Sequence, residues 1–138
     1  MNSNVLQDVK VNVKIKLAAL WATLTFAYAY ADVLGFYSPG NLAEILAGEI
    51  GGIPLTQEML LAMAVLMAIP IVMVFLPLIL PAKINRIINL ITGIIYIVVL
   101  AAASVVAPTA YYLVFAGIEL MCLVLIVWFA YKWPKEQS

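Results

Sequence analysis

Between Arg86 and Lys132 the chain carries a single charge, Glu119. A stretch that long and that apolar can only cross a lipid bilayer or hide inside a large core. At 138 residues with a 67% hydrophobic fraction, no soluble core could cover it. Soluble domains usually hold about 45–50% apolar residues. The mean hydropathy of +1.14 agrees.

A spanning helix needs roughly 20 mostly apolar residues. Four candidate spans follow: about 16–37, 59–80, 84–107 and 109–131, the last two separated at Pro108-Thr109. The expected fold is an all-α, integral membrane four-helix bundle, with residues 1–138 forming one membrane domain. Within it, 1–14 is a cytoplasmic tail, 38–57 an outer connection and 132–138 a cytoplasmic end.

Lys10, Lys14 and Lys16 precede the first span, Lys83 and Arg86 lie between the second and third, and Lys132 and Lys135 follow the fourth. With four spans all seven bases fall on one side, and Glu44, Glu49 and Glu58 on the other. Basic residues mark the cytoplasmic side, so both termini are expected inside a prokaryotic cell (inner) membrane. Trp21, Trp128 and Trp133 would form an inner aromatic belt, and Tyr37, Tyr111 and Tyr112 an outer one. Ala29-Tyr30-Ala31 after a lysine-bearing start imitates a cleavable signal peptide. The apolar pattern continuing through Val33 to Tyr37 argues for a retained span.

In the long connection, Ser38-Pro39-Gly40 is a turn signal. Asn41 with Glu44 three residues later has the capping-box spacing. An amphipathic outer helix over about 41–50 is expected, with Leu42, Ile45, Leu46 and Ile50 on its apolar face and Gly48, Gly51 and Gly52 ending it. Thr56 is placed to cap the second span. The unequal connections give no sign of an inverted repeat.

Function classes narrow by absence in the sequence. There is no histidine, which removes the commonest zinc ligand and general base. The single cysteine, Cys122, cannot form a disulfide within the chain. Zero net charge makes nucleic acid an unexpected partner. No phosphate loop, HExxH or nucleophile elbow is present, so neither an enzyme nor a cofactor is expected.

Polar chemistry concentrates in a few places. A carboxylate at the bilayer centre costs between ~2.5 and ~17 kcal/mol by different methods, so Glu119 is expected to be protonated, paired or functional. Trp21, Thr25, Tyr28 and Asp32 are spaced four, three and four apart along one face of the first span. Asn85, Asn89, Thr92 and Tyr96 repeat that spacing on the third. Folding the chain at its turns sets Glu119 level with about Ile97, Met67 and Ala29, so Tyr28 and Tyr96 share its depth. Asp32 lies ~4–5 Å further out. The transport or proton-binding candidates are therefore Glu119, Asp32, Tyr28, Tyr96 and Asn89. The opposing possibility is a neutral Glu119 acting as interhelical glue worth ~0.6–2 kcal/mol.

Ala19, Thr23, Ala27, Ala31 and Gly35 recur every four residues and form a helix-packing interface, within one subunit or between subunits. Met59, Met63 and Met67 form a weak Cu(I) motif, thioethers being soft ligands. Methionine also fills irregular gaps, and no outer segment rich in methionine or histidine is present to capture copper. Pro70 and Pro77 each remove a backbone hydrogen bond and can kink the second span.

Ala31-Asp32-Val33-Leu34-Gly35-Phe36 with Pro39-Gly40, then Gly51-Gly52-Ile53 with Thr56, Ile69-Pro70, Asn85-Arg86 with Asn89, Glu119 and the ending Trp128 to Trp133 resemble a family of small prokaryotic membrane proteins of unknown function. The resemblance covers most of the chain and implies four helices and a membrane location, with no assigned activity. The chain does not look like the small multidrug-resistance transporters. Their key glutamate lies in the first helix, where this chain has Asp32 near the outer end.

The reading that results is a small homo-oligomeric membrane protein whose partners are the bilayer, its own copies and a small solute or ion. It is either a proton-coupled or cation transporter or channel using buried acids, or a non-transporting scaffold or accessory subunit.

Overall fold

The computed structural model describes residues 6, 8–106 and 109–135. Its elements run α1 (Val13–Phe36), α2 (Asn41–Leu46), β1 (Glu49–Ile50), β2 (Ile53–Pro54), α3 (Gln57–Ile79), α4 (Ala82–Val106) and α5 (Ala110–Tyr131). The fold is all-α, and α1, α3, α4 and α5 are each long and apolar enough to cross a membrane. These match the four expected spans to within a few residues. The expected break at Pro108 lies outside the described residues.

Local chemistry sets most of the ends. Asn12 caps α1, its side chain accepting from the Lys14 N–H at 2.9 Å. Thr56 caps α3 as its position suggested, accepting from the Met59 N–H at 3.2 Å. Glu58 sits in the first turn of α3, where an acid favours the helix N-terminus.

The connection after α1 differs from the helix expected over 41–50. The helix stops at Leu46, and the residues beyond it fold back as a two-stranded hairpin, with Ile50 paired to Ile53 and Glu49 to Pro54. Gly51 and Gly52 both take positive φ, 55° and 76°. That is the signature of the tight turn whose twist suits a hairpin. The capping box is also replaced. Gly40 occupies the N-cap of α2 without a side-chain cap. The Asn41 amide instead donates to the Gly35 carbonyl at 3.0 Å, and Glu44 accepts from the Gly51 N–H at 3.0 Å. These two side chains tie the connection between α1 and α3 to α1 and to its own turn.

α1 packs along both α3 and α5, and α5 also packs along α4. α3 and α4 are joined only by Leu80 and Pro81, yet their backbones approach closely little beyond that turn. Side chains of α4 bridge the gap to α3. The core holds Leu17, Trp21 and Leu24 of α1, Met73 of α3, Tyr96 and Leu100 of α4, and Cys122, Leu123 and Ile126 of α5. At Gly93 the α4 backbone comes so near α5 that an added Cβ would lie 2.8 Å from Val127 Cγ2.

One end of the bundle gathers the bases. The Lys14 Nζ donates to the Leu80 carbonyl at 2.7 Å, and Arg86 Nε to the Ala130 carbonyl at 3.2 Å. The start of α1, the α3–α4 turn and the end of α5 therefore meet. Trp21 does not belong to an aromatic belt at this end. It is fully buried and points inward, whereas Trp128 is half-exposed.

Candidate functional site

The candidate site lies inside the bundle and contains two kinds of buried polar side chain, one paired and one not. The paired kind lies on α4. Trp21 Nε1 donates to Asn89 Oδ1 at 2.8 Å. The Asn89 amide donates to the Asn85 carbonyl at 2.9 Å and to Asn85 Oδ1 at 2.8 Å. Asn85 Nδ2 in turn donates to the Pro77 carbonyl at 2.6 Å. The Tyr96 hydroxyl donates to the Leu66 carbonyl, and its ring meets Trp21 edge to face with centroids 6.1 Å apart.

These acceptors are not arbitrary. In a regular helix the Leu66 carbonyl would receive the N–H of residue 70, and the Pro77 carbonyl that of residue 81. Both of those residues are proline and have no N–H. In lipid an unsatisfied carbonyl has no bulk water to turn to, and a donor on a neighbouring helix is one way to satisfy it. Tyr96 and Asn85 do so, and Asn89 links Asn85 to Trp21. Tyr96 is thus matched to Pro70 inside α3, and Asn85 to Pro81 just beyond its end.

The unpaired kind lies where α1 and α5 meet. Glu119 is 1% exposed. Among the described residues neither of its carboxyl oxygens has a hydrogen-bond partner, nor has the buried hydroxyl of Tyr28. Tyr28, Asp32, Tyr112 and Cys122 all lie within electrostatic reach of Glu119. Tyr112 also neighbours Ser104, whose hydroxyl donates to the Leu100 carbonyl at 2.8 Å. Ser104 was not among the residues singled out from the sequence. A lone serine in an apolar helix commonly bonds its own preceding turn, so nothing in the pattern marks it.

The sequence candidates thus separate. Glu119 and Tyr28 come together without hydrogen-bond partners. Asp32 stands nearby but is exposed on the bundle surface rather than turned into its core. Tyr96 and Asn89 are buried and committed to the hydrogen bonds above. The small-residue row also divides. Ala27 and Ala31 are buried and Gly35 is half-buried, 3.6 Å from the Tyr111 hydroxyl if given a Cβ, whereas Ala19 and Thr23 are exposed. A four-residue step overshoots one helical turn, so such a row winds round the helix instead of holding one face. Met63 faces outward and Met59 and Met67 are half-buried. No group of three or more Cys, Asp or Glu side chains among the described residues is placed to hold a metal.

Residues 6–138 match a protein family described as a family of unknown function, DUF6326. The chain belongs to that family. No curated protein and no solved structure matches it.

Proposed function

We propose that this member of DUF6326 is a small multi-pass transporter or channel for a proton-coupled or cationic solute, with Glu119 as the group that exchanges the proton or meets the cation. The observation that carries this reading is a pair of buried groups with no hydrogen-bond partner among the described residues, the Glu119 carboxyl and the Tyr28 hydroxyl. Leaving a buried polar group unsatisfied costs about 1–3 kcal/mol even when neutral, and more when charged. A carboxyl that served only to hold helices together would have a donor or acceptor across the interface. That work is done here by Asn85, Asn89 and Tyr96. An acid whose partner comes and goes fits the unpaired geometry, and intramembrane acids default to functional roles.

In this reading Asp32 stands at the outer end of the route and Tyr28 beside its middle, while Asn89 and Tyr96 hold the walls. The basic end faces the cytoplasm of a prokaryotic cell, following the rule that lysine and arginine stay inside. The protein acts as a homo-oligomer in this reading, the exposed Ala19 and Thr23 offering a close-approach surface on α1 for another copy. The competing reading, a scaffold or accessory subunit, makes Glu119 interhelical glue and predicts hydrogen bonds from its carboxyl.

The test is flux. Reconstituted in liposomes, the native protein is expected to carry protons or monovalent cations above the level of empty liposomes, and Glu119→Gln to lose most of that flux. Both proteins at the empty-liposome level would sink the transport reading.

A further inference from the structure

Two adjoining open cavities lie at the basic end, well away from Glu119. They have volumes of about 690 and 350 Å³ and share Ala82, Trp133 and Pro134. The larger is flanked by Lys10 and Lys14. The smaller is lined by three cations, Lys83, Arg86 and Lys135, and by the apolar side chains of Ile87, Leu90 and Trp133. Among the described residues no acid lines either one.

We propose that this double cavity binds the phosphate headgroup of an anionic phospholipid. Three features favour a lipid. The first is convergence: the cations come from the start of α1, the start of α4 and the segment after α5, so the fold itself assembles them. Basic pockets between spanning helices are a recurring way to hold anionic headgroups. The second is fixation. Arg86 is anchored through Nε to the Ala130 carbonyl at 3.2 Å and through Nη2 to the Tyr131 carbonyl at 3.4 Å. Two of the five guanidinium N–H groups are thereby used and three remain for a phosphate. Lys14 is similarly held by the Leu80 carbonyl at 2.7 Å.

The third feature is shape. Lys83, Ile87 and Leu90 follow one another at four and three residues on one face of α4, so the cationic rim continues into an apolar strip. The strip reaches about 10 Å along the helix axis at 1.5 Å per residue. A phospholipid has a charged head above an acyl chain, whereas a free phosphate has no use for the strip. The proposal rests on α1, α3, α4 and α5 crossing a membrane and is independent of whether Glu119 transports anything.

The purified full chain, in a neutral detergent, is titrated with phosphatidylglycerol or phosphatidylcholine of matched acyl chains, and bound lipid is counted by native mass spectrometry. The native protein is expected to retain phosphatidylglycerol in preference to phosphatidylcholine. Lys83→Gln/Lys135→Gln is expected to cut that retention roughly ten-fold, each basic residue near an anionic headgroup contributing several-fold. The control is Lys16→Gln/Lys132→Gln. It removes the same charge from the same end, but these lysines lie over the Phe129 and Trp128 rings, at 5.2 and 4.1 Å, and line neither cavity. It is expected to bind like the native protein. Equal retention of the two lipids by the native chain would overturn the proposal. So would equal losses in both double variants, which would indicate a diffuse positive surface. Displacement of phosphatidylglycerol by millimolar inorganic phosphate would reassign the cavity to a free phosphate and overturn the lipid.

Discussion

Tyr96 and Glu119 are almost equally buried, at 2% and 1% exposed, yet among the described residues only Tyr96 of the two has a hydrogen-bond partner. Their substitutions should therefore act in opposite directions. Tyr96→Phe keeps the ring against Trp21 but strips the Leu66 carbonyl of its donor. It is expected to cost about 1–3 kcal/mol, the penalty for a buried acceptor left unpaired. Glu119→Leu removes a partnerless carboxyl from an apolar setting, so thermal unfolding in detergent is expected at an unchanged or higher temperature. A marked loss for Glu119→Leu would mean the carboxyl holds helices together and would favour the scaffold reading. The same logic distinguishes the asparagines. Asn89 joins Trp21 to Asn85 and contributes to the helix contacts rather than to an open route.

At the scale of elements, glycine shows what a membrane bundle asks of close packing. Gly93 on α4 and Gly117 on α5 both lie within helices, but only Gly93 faces a neighbour at contact distance. Gly93→Val drives its branches into Val127 and is expected to destabilise by about 1–3 kcal/mol, the usual range for overpacking. Gly117→Ala meets nothing within 4 Å. It is expected to be neutral or to gain up to about 1 kcal/mol, alanine being the better helix former. Unfolding of the pair in one detergent measures the contrast. A Gly93→Val variant as stable as the native chain would mean that α4 and α5 can separate at no cost. The connection between α1 and α3 teaches a related lesson. The apolar spacing from Leu42 to Ile50 suits a helix, but the positive φ of Gly48, Gly51 and Gly52 suits a hairpin, and the turn chemistry prevails beyond Leu46.

At the scale of the whole molecule, the bases cluster at one end and the connection between α1 and α3 lies at the other. If the basic end faces the cytoplasm, a membrane-impermeant maleimide should label Glu49→Cys in intact cells and leave Lys135→Cys unlabelled until the membrane is opened. A Cys122→Ala background suits both variants, Cys122 being fully buried. The reverse labelling pattern would invert the proposed topology.

Much of the architecture was legible in the residues alone. The number and limits of the four long apolar helices and the Thr56 cap follow from hydropathy and capping chemistry, which act locally along the chain. Tertiary structure decided which polar side chains are satisfied. That Tyr96 and Asn85 answer the carbonyls left by Pro70 and Pro81, that Trp21 turns inward to Asn89, and that Glu119 and Tyr28 have no partners among the described residues are facts about distances between helices. Helical periodicity gives the face a residue occupies. Only the packing of α1, α3, α4 and α5 sets which donor meets which acceptor, because a hydrogen bond tolerates only a few tenths of an ångström and no local pattern carries that precision.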